Sequence, residues 1–242
     1  MWNAFIGFLH TTVYTPLYNG LVYFIDVIPG HDVGIAVIVL TILVRIILIP
    51  LSKKAVDSQL AMKKVGPEVE ALKKKFKKDR AEQSKAIMAL YKERGIHPFA
   101  AFGLLLAQLP ILFALYYIFA QSGLPKIEVD ILYPFVNVPE VVNMEFLGFV
   151  DMAAAHNIVL AVLVAASQWV YTRLSMGKKQ DDSPIEASLS KDLAKSFDLQ
   201  ARYVMPLMFG VIAYILPAAA SLFYFTANLF MIGQEYLSGR RF

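Results

Sequence analysis

The sequence contains no cysteine. That excludes a disulfide framework, a thiolate metal site, a cysteine nucleophile and a lipid-modified N-terminal cysteine. The histidines, His10, His31, His97 and His156, are scattered without ligand spacing, so no metal is expected. There is also no glycine-rich phosphate loop, no nucleophile with a base at motif spacing and no pair of carboxylates inside an apolar stretch, so neither an enzyme nor a cofactor is expected. Charged residues are scarce, at 17%. No Lys or Arg precedes Arg45, so the charged start of a secretory signal is missing.

Apolar residues dominate instead. A 57% hydrophobic content and a mean hydropathy of +0.55 are too high for a soluble domain of 242 residues, and the apolar residues are clustered. The chain reads as an all-α polytopic membrane protein, because helices satisfy their own backbone hydrogen bonds in lipid.

The segment Val33 to Lys54, VGIAVIVLTILVRIILIPLSKK, sets the frame. Residues 33–52 form a first span; Val33 to Leu51 rises roughly 28 Å as a helix, close to the hydrocarbon thickness. Arg45 is its only charge and lies about 12 Å inside the boundary marked by Lys53 and Lys54. An arginine at that depth costs between about 2.5 and 17 kcal/mol unless it finds water, a partner or a route out. Snorkelling toward Lys53 is one explanation and a functional polar site the other.

Residues 1–32 read as an outer-face interfacial segment. Leu17, Leu21, Phe24, Ile25 and Ile28 fall at helical spacing, with Tyr18, Asn19 and Asp26 on other faces. A further spanning helix is the competing reading. Residues 53–97 hold thirteen Lys or Arg against six Asp or Glu, which marks the cytoplasmic side. There the stripe Val56, Leu60, Val65, Val69, Leu72 and Phe76, interrupted at Gly66-Pro67, forms one arm of a helical hairpin. Ala81 to Arg94 forms the other, after a turn near Asp79 and with Gly95 as C-cap.

Residues 98–120 give a second span, kinked at Pro110. Residues 121–147 form an extracytoplasmic loop, since the stretch to Asp151 holds one Lys against five acids. A third span covers 148–172, with Trp169 and Tyr171 suited to an interface. A polar cytoplasmic loop follows at 173–202, with a helical turn around Leu189 to Phe197. The apolar block Tyr203 to Gly233 is too short for two full spans, so Pro217 splits it into short spans at 203–216 and 218–233, followed by a cytoplasmic tail at 234–242. Five spans place the N-terminus outside and the C-terminus inside, and the short last pair implies a thinned or wetted bilayer. Arg45, Gln108, Gln168, Thr226, Asn228 and Gln234 are the polar residues within or at the ends of these spans. Each amide alone suits helix-to-helix hydrogen bonding; together they suit a polar cavity open to the cytoplasm.

In chain order, LTILVRIILIPLSKK with Arg45, LYKERGIHP at Leu90 to Pro98, QLPILFALY at Gln108 to Tyr116, LGFVD at Leu147 to Asp151, SQW at Ser167 to Trp169 and MPLMFGVIAYILPAAASLFYFTANL at Met205 to Leu229 resemble the YidC-type membrane protein insertases. This family includes the mitochondrial Oxa and chloroplast Albino members. The resemblance implies five helices around a hydrophilic groove in the bacterial inner membrane, where Arg45 attracts acidic or polar segments of nascent membrane proteins. Gln108 and Gln168 match groove-lining amides, and Tyr224 stands where many relatives have tryptophan. The basic hairpin, with Lys73, Lys74, Lys75, Lys77, Lys78 and Arg80, is implied to recruit substrate near the ribosome, the signal-recognition machinery or the Sec translocon. The same charges also suit anionic lipid headgroups. No specific nucleic-acid recognition is expected. No long basic extension follows Tyr236, so a stable ribosome complex is not expected either. A small anion transporter or channel built on Arg45 is the alternative; it calls for internal repeats, and none is visible.

Overall fold

The computed structural model describes residues 7–77, 79–120, 124–176 and 199–237. Lys78, the turn expected around Leu189 to Phe197 and the last five residues lie outside them. The described chain is mostly helical. In order it forms α1 (Thr15–Val27), α2 (Val33–Lys64), α3 (Gly66–Lys75), α4 (Arg80–Glu93), α5 (Ala100–Ala120), a two-stranded antiparallel hairpin of β1 (Glu145–Phe146) and β2 (Val150–Asp151), α6 (Ile158–Met176), α7 (Met205–Ile215) and α8 (Ala218–Leu237). Among the described residues, two helices are long and apolar enough to cross a membrane, Val33–Met62 and Ile158–Met176; a shorter apolar helix covers Gln108–Ala120. The chain divides into two compact units, Met1–Arg45 with Pro110–Phe242, and Ile46–Leu109.

In the larger unit, α6 packs against both α7 and α8. Small residues permit the approach: a Cβ on Gly210 of α7 would meet the Ala165 Cβ of α6 at 2.9 Å. Pro217 separates α7 from α8 as its missing N–H and fixed φ require, and the two helices lie within about a turn of their expected ends. The first N–H groups of α8 are satisfied by the loop before α6, with Ala218 N donating to Ala154 O at 2.8 Å and Ala219 N to Met152 O at 3.0 Å.

In the N-terminal segment two polar residues of α1 turn inward. Tyr18 and Asn19 are not on an outward face of α1 but buried beside Leu17, Leu21, Val22 and Ile25. They serve as anchors for the loop at residues 128–133. Asn19 Nδ2 donates to Ile131 O at 2.9 Å, Asn19 Oδ1 accepts from Tyr133 N at 2.6 Å, and the Tyr18 hydroxyl accepts from Glu128 N at 2.7 Å. A polar helix face therefore reports a protein partner here, not water.

Two helix bounds differ from the span bounds expected. Helix α2 continues through Pro50 and past residue 52 to Lys64. The charged stretch after Leu51 consists largely of good helix formers, so the change in polarity is not a change in backbone, and Gly66-Pro67 supplies the break. The third apolar helix begins at Ile158 and not at Gly148. Leu147, Gly148 and His156 have positive φ, and Asn157 Oδ1 caps the helix by accepting from Leu160 N at 3.0 Å.

In the smaller unit, α3 and α4 pair antiparallel, since Glu68 meets Arg94 while Lys73 O accepts from Gln83 Nε2 at 3.0 Å. Their core is Val65, Val69, Leu90 and Ile96, with Leu72, Ile87 and Tyr91 packed around it. Asp79 caps α4 by accepting from Ala81 N and Glu82 N, both at 3.0 Å, and Gly95 adopts φ +64° after it.

Candidate functional site

Helix α2 has one inward stripe: Val33, Ala36, Val37, Leu40, Thr41 and Arg45 are buried, while Ile42 and Leu43 face out. Spacings of three and four put Arg45 on the same side as the core residues. It is only 7% exposed, which does not fit a side chain climbing freely to water. Thr41 spends its hydroxyl within the helix, donating to Val37 O at 2.6 Å.

The groups that act electrostatically on Arg45 are the phenols of Tyr224 on α8 and Tyr171 on α6. Tyr224 is held by stacking on Phe209 of α7, with ring centroids 5.0 Å apart. Among the described residues no Asp or Glu is seen in an ion pair with Arg45; the pairs Lys85–Glu82 and Arg94–Glu68 lie in the smaller unit. A buried guanidinium with no carboxylate paired to it among the described residues is suited to offer its donors to an incoming anion or carbonyl.

Gln168, Thr226 and Asn228 are buried in the same unit. The structure divides their roles. Asn228 Nδ2 donates across from α8 to Ser167 Oγ on α6 at 3.1 Å, and Ser167 in turn donates to Val164 O at 3.0 Å. Gln168 Nε2 reaches Thr172 Oγ1 at 3.4 Å within its own helix. The Asn228 amide is thus helix-to-helix hydrogen bonding, one of the two expected uses. Gln108 belongs to the smaller unit, where its Nε2 is buried and has no hydrogen-bond partner among the described residues.

Polar positions missed in the sequence are Thr172, Ser175 and Glu235, all buried. Spacing held the signal: Gln168, Thr172 and Ser175 step by four and three on α6, and Glu235 lies seven residues after Asn228 on α8. Lys73, Lys74, Lys75, Lys77 and Arg80 are all exposed; the first three occupy the last turn of α3, where cations suit the helix dipole.

The model of the 60Kd inner membrane protein family matches residues 24–242. The chain is 32% identical over 210 residues to the membrane protein insertase YidC of Clostridium tetani, covering 87% of this chain and 83% of that one. It is 28% identical to the membrane protein insertase MisCA of Bacillus subtilis over 221 residues, covering 90% and 74%. Among solved structures, an active YidC insertase crystal structure with the first transmembrane domain resolved matches with a TM-score of 0.58 and 26% identity, over 92% of this chain and 46% of that chain. The chain therefore belongs to the 60Kd inner membrane protein family, that of the YidC-type membrane protein insertases.

Proposed function

We propose that this protein inserts nascent membrane proteins into the bilayer, with Arg45 drawing an acidic or polar extracytoplasmic segment of the substrate into the membrane. The observation that carries this reading is the buried Arg45 guanidinium with no carboxylate paired to it among the described residues. Moving a charged segment through hydrocarbon costs several kcal/mol, roughly 2.5 or more per residue, and an opposite charge met inside the leaflet offsets part of that cost. The substrate's apolar helix then passes into lipid without crossing a polar barrier.

In this reading five spans, from α2, α5, α6, α7 and α8, surround a groove open to the cytoplasm, with the N-terminus outside and the C-terminus inside. Gln168, Tyr224 and Thr226 line it. Asn228 supports it from the α6–α8 contact. The α3–α4 hairpin, through Lys73, Lys74, Lys75, Lys77, Lys78 and Arg80, engages anionic partners. Lipid headgroups contribute about 1 kcal/mol per basic residue near the surface, and ribosome, signal-recognition machinery and Sec translocon are the macromolecular candidates. The relatives named above are insertases, which favours this reading over an anion transporter.

The test is insertion of a single-span substrate with an acidic N-terminal tail into proteoliposomes. Arg45→Ala is expected to impair it while Arg45→Lys retains much of it; undiminished insertion by the Ala variant defeats the charge-attraction mechanism.

A further inference from the structure

The β1–β2 hairpin exposes the apolar residues of its turn. Leu147 is 58% exposed and Phe149 74% exposed, on either side of Gly148 at the tip. Leu147 has φ +52°, a left-handed conformation that a branched apolar residue adopts at a cost and that Asn or Gly adopts readily. A turn shaped only for water would carry one of those residues. The tip instead accepts strain and presents two large apolar side chains.

The hairpin is fixed to the start of an apolar helix. Phe146 lies on Gly34, where a Cβ would overlap its ring, and Leu147 N donates to Asp32 Oδ2 at 2.9 Å. Asn143 pairs with the chain at His31 and Val33, the latter being the first residue of α2. After β2 the chain enters α6, whose first turn exposes Ile158 and Val159. Both helices are long and apolar enough to cross a membrane, so the tip is held where their apolar surface begins.

We propose that the hairpin is a lipid-docking wedge in which Leu147 and Phe149 enter the headgroup–acyl boundary of the outer leaflet. The claim rests on the spanning of α2 and α6 and the sidedness stated above. Its depth is limited by Glu145 and Asp151, which are exposed, pair in register at the hairpin base and stay in water. Two residues per strand at about 3.3 Å each place the tip roughly 7 Å beyond them, within the depth reached by interfacial segments. Five acidic residues against one Lys between residues 121 and 151 direct the wedge to a neutral lipid surface.

Because the chain has no cysteine, Phe149→Cys and Asp151→Cys can each carry a single environment-sensitive fluorophore in full-length protein in phosphatidylcholine vesicles. The label at position 149 is expected to emit to the blue of the label at 151. It should lose intensity most strongly to lipids bearing a nitroxide high on the acyl chain. Water-like emission quenched by aqueous iodide overturns the proposal. So does blue-shifted emission untouched by nitroxide lipids, which assigns the patch to a protein. Measured without substrate, this readout is independent of the Arg45 insertion assay: wedge insertion with an Arg45→Ala variant of full activity refutes the charge mechanism alone. Protease protection of the hairpin's flanks reports sidedness separately.

Discussion

The Asp32 carboxylate joins the start of α2 to the β1–β2 hairpin: one oxygen accepts from Ile35 N at 3.0 Å and caps α2, and the other accepts from Leu147 N at 2.9 Å and holds the hairpin. The helix that carries Arg45 is therefore tied at its start to a loop more than a hundred residues away in sequence.

Asp32→Ala removes the cap and leaves the loop N–H without its acceptor. A loss of about 1–3 kcal/mol is expected, read as a lowered Tm in detergent, and Asp32→Asn should recover part of it because its amide oxygen still caps. An unchanged Tm in the Ala variant would show that water replaces both bonds.

The Asn228–Ser167 bond is testable by a double-mutant cycle with alanine at each position. Interhelical hydrogen bonds in membrane proteins couple by about 0.6 kcal/mol and at most about 1.7 kcal/mol. A coupling in that range, measured by unfolding in mixed micelles, confirms the amide as a link between α6 and α8.

Gly210→Val should separate α7 from α6, because the added side chain occupies the space of the Ala165 Cβ. Overpacking of this kind costs about 1–3 kcal/mol. Ala165→Gly in the same chain is expected to restore much of the Tm, and failure to restore it argues against that contact as the cause.

In the α3–α4 hairpin, Leu90→Ala opens the core formed with Val65, Val69 and Ile96 and should cost about 2–5 kcal/mol. Glu68→Gln breaks only a half-exposed ion pair with Arg94 and should cost less than about 1 kcal/mol, with the difference vanishing at high salt. Limited proteolysis between residues 66 and 94 distinguishes the two.

Substrate charge gives a further check on Arg45. Neutralising the acidic tail of the substrate should narrow the gap between wild type and Arg45→Gln; equal defects on acidic and neutral tails would mean that Arg45 serves by holding water.

Local chemistry in the sequence was sufficient for several features. Gly66-Pro67 and Pro217 break helices wherever the rest of the chain lies, Asp79 and Gly95 cap α4 through their own neighbours, and the period of three and four places Arg45 in line with Thr41 and Val37. The start of α6 was also written locally, in Asn157, but the apolar residues before it masked that cap.

By itself the sequence determined a helical membrane protein with one arginine inside its first long apolar helix, because hydropathy and charge are properties of neighbouring residues; which face of that all-apolar helix is buried was decided by the structure. Tertiary structure alone decided that Tyr18 and Asn19 point inward, that Asn228 meets Ser167 and that Asp32 holds Leu147. Each of those bonds closes between residues about 60 to 115 positions apart, where no local pattern encodes the partner.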